Sequence, residues 1–80
     1  MWFVYIVLCY DNTLYTGITT DLDRRVEEHN GVGKLGAKYT KARRPVELIY
    51  QSQFDNRSEA SKEESRIKKL SRIEKNRLVG

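Results

Sequence analysis

The stretch VYIVLCYDNTLYTGITTDLDRR, residues 4–25, decides the fold. It opens on a run of β-formers, breaks at Asp11, Asn12 and Thr13, resumes as LYTGI, and then sets Thr20 and Asp21 ahead of two arginines. The break is turn chemistry, because Asp and Asn side chains bond their own backbone and tolerate unusual dihedrals. A hairpin is therefore predicted, with strand Trp2–Cys9 returning as a second strand at residues 14–18. The first strand is apolar at odd and even positions alike, which is how a strand buried on both faces reads. Thr20 or Asp21 can cap a helix, and Asp23 favours the positive N-terminal end of that helix. The helix should run to about Asn30, with Gly31 as its stop signal.

Working outward, residues 34–44 read as loop. Pro45 cannot donate to a ladder and fits a strand start. Val46–Phe54 then reads as a third strand with Val46, Leu48 and Tyr50 on one face. Residues 55–58 form a cap region, residues 58–70 are helical, and Ser71 with Glu74 makes a capping box for a last short helix to about Val79. The predicted order is ββαβαα. This is an α+β fold: a small three-stranded, mainly antiparallel sheet flanked by helices, as one domain over residues 1–80.

Composition bounds the function. The 80 residues are 39% hydrophobic and 32% charged, as expected of a small folded domain rather than a disordered chain. The apolar start reaches Asp11 after ten residues and lacks a basic n-region, so neither a signal peptide nor a membrane span is expected. One cysteine, Cys9, cannot form an internal disulfide, which suits a reducing, cytoplasmic setting. One cysteine and one histidine cannot build a structural zinc site. No zinc finger or helix-turn-helix is evident, so base-edge reading of a long site is not expected. No obligate protein partner is evident, and a monomer is expected.

The net charge of +4 leans towards an anionic partner, and its distribution says more. Lys34, Lys38, Lys41, Arg43 and Arg44 fall within eleven residues that hold no acid. Glycines lie beside this run and Tyr39 lies within it, so it can follow a phosphate backbone and stack a base. A second basic run, Arg66, Lys68, Lys69, Arg72, Lys75 and Arg77, reads equally well as a solvated surface.

In a helix from Asp21, Leu22 and Val26 form the apolar stripe, and Arg25 and His29 share the neighbouring face. Arg25 then sits beside the sheet while Arg24 points further round. Tyr5 and Tyr15 occupy odd positions on paired strands, so both hydroxyls can open on one side. Gly17 leaves room for close approach of a ligand or a backbone. In the long helix, Ala60, Ile67 and Leu70 define an apolar face flanked by Glu63 and Glu64. A carboxylate there needs a partner, either a basic side chain or a divalent cation. Periodicity favours Glu63 as the more inward of the two.

These residues carry a resemblance. VYIV, then YTG, then DLDRR with a histidine four residues later, and a glutamate-bearing helix resemble the GIY-YIG nuclease superfamily. LYTGITTDLDRRVEEHN, GAKYTKARRPVELIY and SEASKEESRIKKL are similar to its small stand-alone bacterial and archaeal branch. On this resemblance Tyr5 matches the first-motif tyrosine, Tyr15 and Gly17 match the second motif, Arg25 matches the catalytic arginine, and His29 the polar position one turn later. Setting Ile67 and Lys68 against the branch's apolar-lysine pair picks Glu64 as metal ligand, against the periodicity. There are departures: Phe3 replaces the first-motif glycine, Thr16 is the middle of the second motif, and Ile18 stands where some repair members have lysine.

The resemblance implies metal-dependent hydrolysis of phosphodiester bonds. Tyr39 and the basic loop tilt the expected substrate to single-stranded or branched DNA, with RNA as the alternative. Glu64 would hold Mg²⁺ or Mn²⁺, Arg25 would stabilise the transition state, and a tyrosine would act as general base. Tyr5 and Tyr15 are both candidates for that base, and expected proximity to Arg25 and the metal tilts the role to Tyr15. His29 would polarise the tyrosine or the phosphate. The alternative is a non-catalytic nucleic-acid-binding module on the same fold. A third reading, an adaptor for an acidic protein, explains the charge but not the tyrosine, arginine, histidine and glutamate set.

Overall fold

In a computed structural model, which describes residues 1–31 and 38–80, three antiparallel strands lie in the order β2-β1-β3. They are β1 (Trp2–Cys9), β2 (Leu14–Thr19) and β3 (Val46–Phe54). The helices are α1 (Leu22–Asn30), α2 (Lys38–Lys41), α3 (Arg57–Lys68) and α4 (Arg72–Val79). This is the expected ββαβαα order with one short helix, α2, added inside the segment read as loop.

The turn forms as its chemistry dictates. Asn12 takes a left-handed φ of 67°, a region where Asn is less penalised than most residues. The Thr13 hydroxyl and N–H both donate to the Asp11 carboxylate, at 2.6 and 3.2 Å. β1 is the central strand and is covered on both faces, as its unbroken apolar run requires. Val4 and Ile6 pack with Ala60 and Ile67 of α3 on one face. Tyr5, Val7 and Cys9 pack with Val46, and with Leu22 and Val26 of α1, on the other. Each fully buried aliphatic side chain contributes about 1.5–3 kcal/mol of burial, and α1 and α3 are held to opposite faces mainly by these contacts.

β3 departs from the sequence reading. Ile6 pairs with Tyr50 but Val7 pairs with Leu48, so Ile49 is an extra residue in β3. This β-bulge reverses the alternation. Val46 and Leu48 stay with the Tyr5 face, whereas Tyr50 and Phe54 join the Val4 face. Val46, Leu48 and Tyr50 therefore do not share a face.

The helix ends follow the capping rules. Asp21 accepts from the Arg24 N–H at 3.1 Å, and Asn56 accepts from the Glu59 N–H at 2.9 Å. Ser71 and Glu74 form the expected capping box. At the far end of α1, Asn30 clamps the start of β3: the Val46 N–H donates to its Oδ1 at 2.6 Å, and its Nδ2 donates to the Val46 carbonyl at 3.0 Å. Among the described residues no helix is long and apolar enough to cross a membrane.

Candidate active site

The site is built on the β1 face that α1 covers. Tyr5 pairs with Gly17 and Tyr15 pairs with Val7, so the two tyrosines are diagonal neighbours on one face rather than direct partners. A Cβ on Gly17 would lie 2.5 Å from the Tyr5 hydroxyl oxygen. The close approach that Gly17 permits is thus that of the Tyr5 side chain, across the strand pair.

α1 brings its Arg25 and His29 face to the same place. The Tyr5 hydroxyl lies 2.8 Å from His29 Nε2, and Arg25 Nε donates to it at 3.4 Å. Arg25 also donates to Glu28 at 2.9 Å. Arg24 makes a looser 3.6 Å pair with Glu28, and its side chain is 56% exposed against 22% for Arg25. Choosing Arg25 over Arg24 by helical phase therefore matches where each side chain lies.

His29 is buried, and its second ring nitrogen, Nδ1, lies 2.8 Å from the hydroxyl of the buried Thr40 on α2. Sequence reasoning does not single out Thr40. The available signal is its place in the GAKYT segment, beside Tyr39. Tyr15 sets the edge of its ring against His29, with centroids 5.3 Å apart, so the histidine is enclosed by β1, β2 and α2.

Electrostatics follow from this enclosure. Burial pushes the Tyr5 phenol up to about 12, with the Arg25 hydrogen bond and charge partly opposing. Burial, helped by the Arg25 charge, pushes His29 down to about 4, while Glu28 acts the other way. At neutral pH the site holds a neutral phenol and a neutral imidazole beside a guanidinium.

Glu64 is on α3, across the sheet from α1, and its carboxylate is 3.3 Å from Lys68. Its charge nonetheless acts on the Tyr5 hydroxyl, raising that pKa. Glu63 is bound in a fork by Arg66, at 2.6 and 2.7 Å. The two glutamates are almost equally exposed, at 20% and 22%, so helical phase does not separate them. Among the described residues no group of three or more His, Cys, Asp or Glu side chains gathers. One carboxylate is a donor set for a hard cation that keeps most of its water.

The basic segment divides. Lys34 and the side chain of Lys38 lie outside the described residues. Lys41 is exposed. Tyr39 stacks on Tyr15 at 5.7 Å, and the Arg43 guanidinium covers its ring at 4.1 Å. Arg43 is also paired with Asp11 at 3.0 Å. Arg44 donates to the Gly31 and Lys41 carbonyls, and Arg43 donates to the Tyr39 carbonyl at 2.8 Å. Both arginines are thus engaged with backbone, and a base stacking on Tyr39 would meet the Arg43 guanidinium.

Comparison with known proteins agrees with this fold. The model of the GIY-YIG catalytic domain matches residues 1–77. A UPF0213 protein of Desulfotalea psychrophila is 59% identical over 78 residues, which is 98% of this chain and 70% of that relative. A UPF0213 protein of Natronomonas pharaonis is 53% identical, covering 96% of this chain and 88% of its own. The solution NMR structure of the UPF0213 protein BH0048 from Bacillus halodurans superposes with a TM-score of 0.62 at 44% identity, over 99% of this chain and 83% of that one. The chain therefore belongs to the GIY-YIG nuclease family, alongside the small stand-alone UPF0213 proteins.

Proposed function

We propose that the protein is a metal-dependent endonuclease that hydrolyses phosphodiester bonds in DNA, with single-stranded or branched DNA as the preferred form. The observation that carries this reading is the Tyr5 hydroxyl held between Arg25 Nε and His29 Nε2. A phenol at about 12 is a poor resting base. It can still work as a relay. Tyr5 is 1% exposed in the free protein, so the attacking water must be admitted to its hydroxyl with the bound strand. As Tyr5 takes a proton from that water it passes its own to His29 Nε2, leaving an imidazolium instead of a buried phenolate. This favours Tyr5 over Tyr15 as the base, with Tyr15 holding the imidazole ring from the side.

Arg25, cationic and partly exposed, would meet a non-bridging phosphate oxygen and stabilise its growing charge. Glu64 is the residue that would hold Mg²⁺ or Mn²⁺. A bound cation there supplies positive charge for the phosphate and the leaving oxygen. Lys34, Lys38 and Lys41 would follow the nucleic-acid backbone, and the covered Tyr39 would stack a base only after Arg43 moves aside.

Labelled single-stranded, duplex and flapped DNA incubated with Mg²⁺, Mn²⁺ or EDTA tests the reading. Cleavage that needs the metal is expected, lost in Tyr5→Phe and retained at a reduced rate in Tyr15→Phe. The reverse order would move the base to Tyr15. Salt-sensitive binding with no cleavage of DNA or RNA would make the protein a binding module.

A further inference from the structure

The contacts Arg25–Tyr5–His29–Thr40 form one chain of hydrogen bonds, and its proton order can be worked out from one end. Arg25 Nε is donor only, so the Tyr5 oxygen accepts from it. The Tyr5 hydrogen then needs an acceptor, since a buried donor without one is strongly disfavoured. Tyr5 is 1% exposed, and among the described residues the group that can accept it is His29 Nε2. If Nε2 accepts, a neutral imidazole carries its hydrogen on Nδ1, and that hydrogen is donated to the Thr40 hydroxyl oxygen 2.8 Å away. The opposite order, with Thr40 donating to Nδ1 and Nε2–H donating to Tyr5, gives the tyrosine two donors and strands its own hydrogen.

We infer that Thr40 is a positioning residue: its hydroxyl oxygen fixes His29 in the Nδ1–H tautomer and so keeps Nε2 open to the Tyr5 proton. Thr40 sits on α2 between Tyr39 and the exposed Lys41. The segment proposed to meet nucleic acid thereby also sets the state of the tyrosine. The catalytic consequence rests on the nuclease reading, whereas the tautomer does not.

The chain has a single histidine, so its ring nitrogens give an unambiguous ¹⁵N NMR signature. In the wild-type protein at neutral pH, Nδ1 should be protonated and Nε2 should carry the lone pair. Thr40→Val, which keeps the shape but loses the oxygen, should shift the ring towards Nε2–H, and Thr40→Ser should restore the wild-type pattern. Turnover should fall about 10- to 100-fold in Thr40→Val, by analogy with the loss seen when the partner orienting a metal-bound histidine is removed. It should recover in Thr40→Ser, with nucleic-acid affinity unchanged throughout. A wild-type spectrum showing Nε2–H overturns the inference, whether or not Thr40→Val folds. So does a folded Thr40→Val with an unaltered tautomer. If wild type cleaves nothing, the nuclease reading fails and the spectra alone decide the role of Thr40.

Discussion

Gly17 and Tyr5 face each other across β2 and β1, and a methyl group on Gly17 would fall 2.5 Å from the Tyr5 hydroxyl oxygen. The ring cannot swing aside at little cost, because its hydroxyl is bonded to both His29 and Arg25. Gly17→Ala should therefore displace Tyr5, break that pair of hydrogen bonds and cost about 1–3 kcal/mol. Urea denaturation measures the loss, and the His29 ring signals should move with it. A variant with unchanged midpoint and unchanged histidine signals would show that the tyrosine is not held where described.

The buried imidazole has a pH consequence. His29 is held near 4 in the folded chain against an ordinary 6.5, by burial and by Arg25, with Glu28 opposing and Tyr5, Tyr15 and Thr40 as its other neighbours. The unfolded chain therefore binds the proton first. Stability from this group is fully present above about 6.5 and drains away as pH falls towards 4, by up to about 3 kcal/mol. An NMR titration of the single histidine should show a midpoint well below the ordinary value. A midpoint near 6.5 would remove the enclosure argument.

The parts of this molecule that are legible in sequence are those with a local cause. The hairpin follows from Asp11, Asn12 and Thr13, the capping box from Ser71 and Glu74, and the choice of Arg25 over Arg24 from helical phase beside Leu22 and Val26. What escapes depends on distant partners. The extra residue Ile49 is visible only once Ile6 and Val7 are paired with β3. Thr40 looks like any polar residue of a basic loop until α2 docks it under His29. Phase alone does not divide Glu63 from Glu64, because both flank the Ala60–Ile67 line equally and each pairs with a basic side chain of its own helix.

The exposed cation Lys41 separates a nucleic-acid surface from a solvated one. Lys38→Ala with Lys41→Ala should weaken DNA binding and reduce the salt slope by about one unit for each lysine–phosphate pair removed. Turnover at saturating DNA should change little, since these lysines are proposed to contribute binding and not chemistry. Binding isotherms across a range of salt concentrations give the slope. An unaltered slope would return these lysines to ordinary surface.

Arg25 and Glu64 separate enzyme from binder. Arg25→Ala removes a donor whose interaction is strongest when charge builds on the phosphate, so turnover should fall about 10²- to 10³-fold. Arg24→Ala is the control: same charge, adjacent position, but 56% exposed and paired loosely with Glu28 at 3.6 Å. Exposed pairs of that kind contribute about 0–1 kcal/mol, and both stability and turnover should stay close to wild type. Glu64→Gln keeps the side-chain shape while removing the anionic ligand, so cleavage should collapse with the fold intact. It also removes a negative charge near the bound strand, so DNA affinity should hold or rise. Titration of the Glu64→Gln protein with Mn²⁺, read by paramagnetic broadening of the Tyr5 and His29 signals, should show weaker metal binding than wild type. Equal broadening in the two proteins, with cleavage retained, would remove Glu64 from the metal and leave Arg25 and the tyrosine without their cation.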